Sequence, residues 1–362
     1  MKLKPKIISV VGARPQFVKL APLAKVLSKT FSHRIVHTGQ HYDENMSRVF
    51  FRQLGIPKAN SNLGLGGTSH ADMTGKMLIG LEKTFQQEKP DFVLVYGDTN
   101  TTLAGALAAA KMAIPLGHIE AGMRSYVSTM PEEINRRLTD HTSNLLFCPT
   151  PSAVKNLKKE GIRRGAVLAG DLMFELLDQS RRAIARNGKA LREFHLEKGE
   201  YLYLTLHRAA NVDTRENLER VVEILDSLER PVLFPVHPRT QERLRRFRLA
   251  GDLAACKNVI MTDPLSYLDN LTAVALARTV LTDSGGLQKE ALFLGTPVLT
   301  LRDETEWEET LSRGNRLVGL SKSRVRRALA APVRVRPVSF LIRGKRPSEI
   351  IVSEIRRYLR GR

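Results

Sequence analysis

Cysteine is nearly absent from this 362-residue chain: Cys148 and Cys256 are the only two, and neither stands in a paired metal-ligand spacing. That excludes a disulfide-stapled scaffold, argues against a structural zinc and leaves both thiols as small buried hydrophobes. Aromatic residues make up 6% of the chain and do not interleave with its basic stretches, so the stacking surfaces that hold unpaired nucleic-acid bases are missing. No apolar run is long enough to span a bilayer, and Met1–Pro5 lead straight into a strand without a signal-peptide core. A cytoplasmic protein with no membrane contact is expected. Acid is the remaining shortage: 37 Asp and Glu against 57 Lys and Arg give a net charge of +20. Such a field attracts nucleic acid and small anions alike. The excess sits in Arg239–Arg248, Arg324–Arg327 and Arg343–Arg362, which read as solvated helix faces, so no nucleic-acid partner is expected.

What is present is a regular alternation. Short apolar runs at Lys6–Val11, Ile35–Thr38, Phe92–Tyr96, Ile114–Ile119, Leu145–Cys148 and Val167–Ala169 alternate with helical patterns, and a second series follows at Tyr201–Leu206, Val232–Val236, Val259–Met261, Val280–Thr282 and Val298–Leu301. Runs of this length between helices predict buried parallel strands, hence an α/β protein. The length is too great for one ordinary core. The chain therefore divides into residues 1–170, a Rossmann-like domain, and 171–346, a second one, with an amphipathic helix at 347–362 packing back on the first. Gly170-Asp171 starts the crossing helix, and the polar stretch Arg186–Gly199 is the hinge region.

Chemistry concentrates between Asp91 and Arg137. Two of the strands end in loops opening with an acid, Asp98 and Glu120, and a third acid, Glu132, follows Pro131 at a helix start. Each has a plain structural reading: Asp98 as a helix cap, Pro131-Glu132-Glu133 as an ordinary first turn. Capping does not explain Glu120 in the Gly-rich loop Gly117–Gly122, with Arg124 close behind. Together the acids read as a site that moves protons near a bound anion. Gly12-Ala13-Arg14 and Lys19 form a candidate anion grip at a helix start. Gly64–Thr68 is either a phosphate loop or a connection. In the second half, His207-Arg208 and His237-Pro238-Arg239 stand at equivalent strand ends. The run Asp283-Ser284-Gly285-Gly286 opens a helix whose hydroxyl, unhindered amides and positive end suit a diphosphate, and Glu290, just over a turn on, suits ribose hydroxyls or is a solvated helix residue.

The motifs Gly12-Ala13-Arg14-Pro15, Gln40-His41, Gly97-Asp98-Thr99, Gly117-His118-Ile119-Glu120-Ala121-Gly122, Pro131–Arg136, His207-Arg208 and Thr282–Gly286 occur in the order that resembles non-hydrolysing UDP-N-acetylglucosamine 2-epimerases, over nearly the whole chain to about Gly319. The resemblance implies a GT-B-like pair of Rossmann-type domains with the active site in the cleft between them, a UDP-sugar substrate, no cofactor or metal, and a homodimer. It implies that Asp98, Glu120, Glu132 and His207 are catalytic, the acids moving protons and His207 steadying the diphosphate. Arg14, Lys19, Ser284, Gly285, Gly286 and Glu290 would bind substrate, and Gln40 with His41 would line an allosteric UDP-GlcNAc site. The chain departs from the family pattern in having Gln16 where Glu is common, Trp307 in place of an Arg that touches the nucleotide sugar, and Asn270 where an aromatic packs on uracil. Those changes leave open a related substrate, a UDP-diacetamido-uronic acid. The other readings are a hydrolysing epimerase that releases ManNAc and UDP, a GT-B glycosyltransferase, and a basic nucleic-acid-binding protein.

Overall fold

Lys6–Val11, KIISVV, forms strand β1 of the computed structural model, which describes residues 4–40, 51–65, 69–187, 192–331, 333–336, 342 and 344–361. Five of its six residues are buried, because helices cover both faces of the sheet it belongs to. Around it run β2 (Ser32–His37), β3 (Ser61–Asn62), β4 (Phe92–Tyr96), β5 (Leu116–Ile119), β6 (Leu145–Cys148) and β7 (Ala166–Leu168), in the spatial order β3-β2-β1-β4-β5-β6-β7 with every pairing parallel. The chain thus works outward from β1 in one direction, returns, and works outward in the other. The crevice beyond the carboxyl ends of β1 and β4 is the point at which such sheets bind ligands.

The second sheet repeats the plan. It holds β8 (Leu202–Thr205), β9 (Val232–Pro235), β10 (Val259–Thr262), β11 (Thr279–Thr282), β12 (Val298–Thr300) and β13 (Asn315–Leu317) in the order β10-β9-β8-β11-β12-β13, again all parallel, with its switch point between β8 and β11. By contact density Met1–Asp178 with Phe340–Arg362 makes one unit and Gln179–Ser339 the other. Residues 171–178 and 340–346 therefore go with the first unit. Glu175 is one reason: its buried carboxylate accepts from the Ser348 amide at 2.9 Å and hydroxyl at 2.6 Å, capping the helix Pro347–Arg360, whose Tyr358 ring meets Phe92 edge-on.

Strand limits depart from the sequence pattern for local reasons. β5 starts at Leu116 rather than Ile114, because Ala113 turns left-handed (φ 54°) and the Ile114 amide closes the preceding helix on Ala109. β3 and β13, of two and three residues, lie at sheet edges and lack any apolar run. Both cysteines are buried and unpaired.

Candidate active site

The first switch point is built from three helix starts. Helix α1 (Arg14–Thr30) follows β1 with no side-chain cap at Ala13; instead Gln16 Oε1 accepts from the amides of Gly12 at 2.7 Å and Ala13 at 3.0 Å. Gln16 Nε2 donates to Tyr96 O, Thr99 Oγ1 and Thr102 Oγ1 at 3.0–3.1 Å, so one buried amide fastens the β1 turn to the β4 turn. After α2 (His70–Glu88) and β4 comes α3 (Asn100–Lys111), whose cap is Thr99, accepting from the Thr102 amide. Asp98 is therefore not the cap.

Freed of that duty, the Asp98 carboxylate takes Arg136 Nη1 at 2.6 Å while keeping 36% of its side-chain surface. Arg136 belongs to α4 (Pro131–Thr142), opened by Pro131 with Glu132 and Glu133 in the first turn. Neighbouring Asn135 donates to the Asp98 carbonyl at 2.9 Å. Burial lifts the Asp98 carboxyl above its ordinary value; Arg136 and Lys19 pull it down, Glu120 and Glu132 push it up, and the net direction is upward. Glu133, by contrast, is structural, accepting from the Ser125 and Tyr126 amides and from Arg136.

Glu120 leaves β5 in the left-handed region (φ 73°), a conformation that costs a non-glycine residue about 1–3 kcal/mol and gathers at functional sites. Its Oε2 meets Lys19 Nζ at 2.7 Å, both side chains at least 86% buried. Burial pulls the Lys19 ammonium down, but the charge and hydrogen bond of Glu120, with Asp98 and Asp171 beyond, more than reverse it and leave it raised. Lys19 and Glu120 line a small depression with Ile119, Pro149, Gly170, Asp171 and Leu172. Gly97, at φ 65°, lets the β4 turn pass above this pair: a Cβ there would lie 3.4 Å from Glu120 Oε2 and 3.6 Å from Lys19 Nζ. Asp98, Glu120 and Lys19 thus gather at one switch point, with Arg14 opening α1 and Glu132 exposed on α4, its charge felt at Asp98. Arg124 does not join them as an anion grip. It is buried in a two-pronged pair with Glu160 (both 2.7 Å) and against Asp140 at 2.7 Å.

The second unit carries the other set. Ser284 caps the helix Gly285–Leu294, its Oγ accepting from the Leu287 amide. Fully buried Asp283 receives the amides of His207 and Arg208 at 2.9–3.2 Å and Asn211 Nδ2 at 3.1 Å, with His207 Nδ1 at 3.3 Å, and so fixes the β8 loop over the helix start. The His207 and His237 rings stand 5.2 Å apart, and His237 caps the helix Pro238–Arg246. Glu306 is gripped by Arg208 at 3.1 Å and Arg302 at 2.8 Å and lies against Gly285, where a Cβ would come within 2.2 Å of its Oε1. Burial pushes the Glu306 carboxyl up, the two guanidiniums pull it down, and the net is below the usual range. Glu290 is 7% exposed and accepts from the Tyr267 hydroxyl at 3.4 Å. Trp307 is buried under Lys289, whose Nζ stands 3.4 Å from the ring centre, and Asn270 accepts from the Tyr203 hydroxyl.

Gln40, in the segment after β2, has its Oε1 accepting from the Thr101 amide at 3.1 Å and hydroxyl at 2.8 Å on α3. His41 lies outside the described residues, as do Gly66–Thr68 of the candidate phosphate loop. Sequence reasoning left out the partners Arg136, Asp140 and Glu306, and took Gln16 only as a departure from the family pattern. A buried partner distant in the chain leaves no periodic signal.

Two doubly wound parallel units, acids gathered at one switch point and a glycine-opened helix start under a His-Arg pair at the other, define a GT-B-like α/β enzyme. A family model described as UDP-N-acetylglucosamine 2-epimerase matches residues 25–338. A UDP-N-acetylglucosamine 2-epimerase of Methanocaldococcus jannaschii is 43% identical, covering 90% of this chain and 91% of that protein. A crystal structure of the M. jannaschii UDP-GlcNAc 2-epimerase with UDP-GlcNAc and UDP superposes with a TM-score of 0.89 at 40% identity over 98% of this chain and 99% of that one. A UDP-2,3-diacetamido-2,3-dideoxy-D-glucuronate 2-epimerase of Pseudomonas aeruginosa is 46% identical, covering 88% and 90%. This chain belongs to the UDP-N-acetylglucosamine 2-epimerase family.

Proposed function

We propose that the protein is a non-hydrolysing epimerase that interconverts UDP-GlcNAc and UDP-ManNAc. The observation that carries this reading is the set at the first switch point: Asp98 held above its ordinary range beside Arg136, and Glu120 paired with Lys19. Carbon 2 of the sugar bears a weakly acidic hydrogen. One carboxylate removes it while the bond from carbon 1 to UDP breaks with its electron pair, leaving 2-acetamidoglucal. UDP then adds back to carbon 1 as a proton is delivered to the opposite face of carbon 2. A carboxyl raised toward neutrality can give a proton as well as take one, which suits a site that works both ways. Asp98, Glu120 and Glu132 are the acid-base set, with Arg14 and Lys19 binding the substrate. In the second unit His207, Ser284, Gly285 and Gly286 take the diphosphate as charge develops on it, and Glu290 takes the ribose.

The same reading assigns Gln40 and His41 to an activating UDP-GlcNAc. It gives the enzyme a cytoplasmic setting, a role in supplying surface polysaccharide or glycoprotein synthesis, and a homodimeric state. The exposed Ile79 (64%), Ile134 (46%) and Leu138 (46%) suit burial by a second copy.

A related substrate, a UDP-diacetamido-uronic acid, is favoured by two observations: the Pseudomonas relative's identity and the replacements at Trp307 and Asn270. Incubation with UDP-GlcNAc in deuterated water, read by NMR, tests both. UDP-ManNAc with deuterium at carbon 2, abolished by Asp98→Asn, Glu120→Gln and Glu132→Gln, is the expected result. Free ManNAc and UDP would mean a hydrolysing enzyme; no exchange, with turnover of the uronate, would establish the second substrate.

A further inference from the structure

Beneath the acids lies a polar pair that the chemistry above does not use. His118, on β5, and Asp140, on α4, are at most 1% exposed, and His118 Nδ1 lies 2.7 Å from Asp140 Oδ1. The other ring nitrogen, Nε2, lies 2.8 Å from the carbonyl oxygen of Gly97. A carbonyl oxygen only accepts, so Nε2 carries a proton. Asp140 Oδ2 takes Arg124 Nη1 at 2.7 Å and the Gly122 amide at 3.1 Å. A carboxylate gripped by a guanidinium and an amide is ionised, so Oδ1 also accepts, and Nδ1 carries a proton too. Burial alone would raise the Asp140 carboxyl; His118 and Arg124 outweigh it and hold it low.

We infer that His118 is a buried imidazolium and that His118 and Asp140 are positioning residues that hold the three acid-bearing segments in mutual register. One arm reaches Gly97, whose carbonyl directly precedes Asp98. A second reaches Gly122, two residues past the strained Glu120. The third is the body of α4 itself, which carries Glu132 at one end and Asp140 toward the other. Glu133 and Arg136 of α4 make a second link, from the Ser125 and Tyr126 amides to the Asp98 carboxylate; the His118–Asp140 pair instead reaches the two turns at Gly97 and Gly122. A full charge pair, rather than a neutral hydrogen bond, gives the link stiffness in a low-dielectric site, since each charge would be left uncompensated if the other moved. Misplacing a reacting group by about 1 Å can cost about 100-fold in rate.

The kinetic half of this inference rests on the epimerase reading; the protonation half does not. Nitrogen-15 NMR of the intact, histidine-labelled protein at neutral pH, with the His118 signals assigned by their loss in His118→Gln, should show both ring nitrogens protonated. A neutral ring, with one bare nitrogen, overturns the inference whatever the enzyme's substrate is. In Asp140→Asn the second ring proton should be lost, while kcat falls about 10- to 100-fold with KM moving less than about twofold. UDP affinity should stay as in the wild type. A folded Asp140→Asn enzyme with unchanged kcat also overturns it. Should that variant not fold, the wild-type spectrum still decides, and a wild type inactive on every UDP-sugar tried would sink the epimerase reading and leave the imidazolium standing.

Discussion

Asp98 answers to two opposed demands. On the proposed reading its carboxyl takes and gives a proton, for which a value above the ordinary one is useful, whereas folding is easier without it, because desolvation and the nearby Glu120 and Glu132 outweigh Arg136 and Lys19. A carboxyl raised in the folded state binds protons more tightly folded than unfolded. It therefore costs nothing well below its ordinary value of 3.8 and destabilises progressively as pH climbs to its folded value. Asp98→Asn should accordingly abolish exchange at carbon 2 yet melt above the wild type, by more at pH 8 than at pH 5; a variant that melts lower at pH 8 would contradict this. Gln16 makes the opposite case. Gln16→Met keeps the length but strips five hydrogen bonds, leaving the Gly12 and Ala13 amides buried without their acceptor. The expected loss is about 2–4 kcal/mol of unfolding free energy, read from denaturant midpoints.

At the scale of elements, the helix Gly285–Leu294 joins sequence to site. Its Ser-Gly-Gly start was legible because the chemistry lies in consecutive residues after an apolar run, and the same holds for Asp98, Glu120 and nearly every central strand. What was hidden is what closes over these loops. Asp283 gathers His207 and Arg208 from about 75 positions away, and Glu306 crosses to Gly285 with two arginines, contacts that obey no period. The edge strands β3 and β13 were hidden because two or three polar-leaning residues at a sheet margin need no apolar alternation. The Glu306 contact yields a test. Gly285 opens the helix with a φ that any residue adopts, so the backbone accepts alanine and Gly285→Ala should leave the melting temperature near the wild type's. Its methyl, aimed within 2.2 Å of Glu306 Oε1, would push that carboxylate away and loosen Arg208. KM for the UDP-sugar and Kd for UDP should each rise about 5- to 50-fold, from the loss of about 1–2 kcal/mol of charge-assisted contact. Unchanged UDP binding, by calorimetry, would separate the Glu306 cluster from the nucleotide.

For the whole molecule the governing quantity is the charge of +20, carried in part by basic helices such as Pro238–Arg246 and Lys322–Ala330. A nucleotide sugar arrives as an anion, and a basic protein raises its encounter rate through the long-range field rather than through any one contact. That field is screened over roughly 10 Å at 0.1 M salt, whereas the buried pair Lys19–Glu120 and the partly buried pair Arg136–Asp98 are screened less. The two contributions can therefore be separated. Raising the salt from about 20 to about 500 mM should lower kcat/KM severalfold while kcat hardly changes, because only capture is screened. A substrate with one more negative charge, the uronate of the second reading, should show the steeper slope of the two. Equal slopes would mean the extra carboxylate meets no net field on its way in. A fall in kcat itself would place the salt effect within the site, on the pairs that hold the acids.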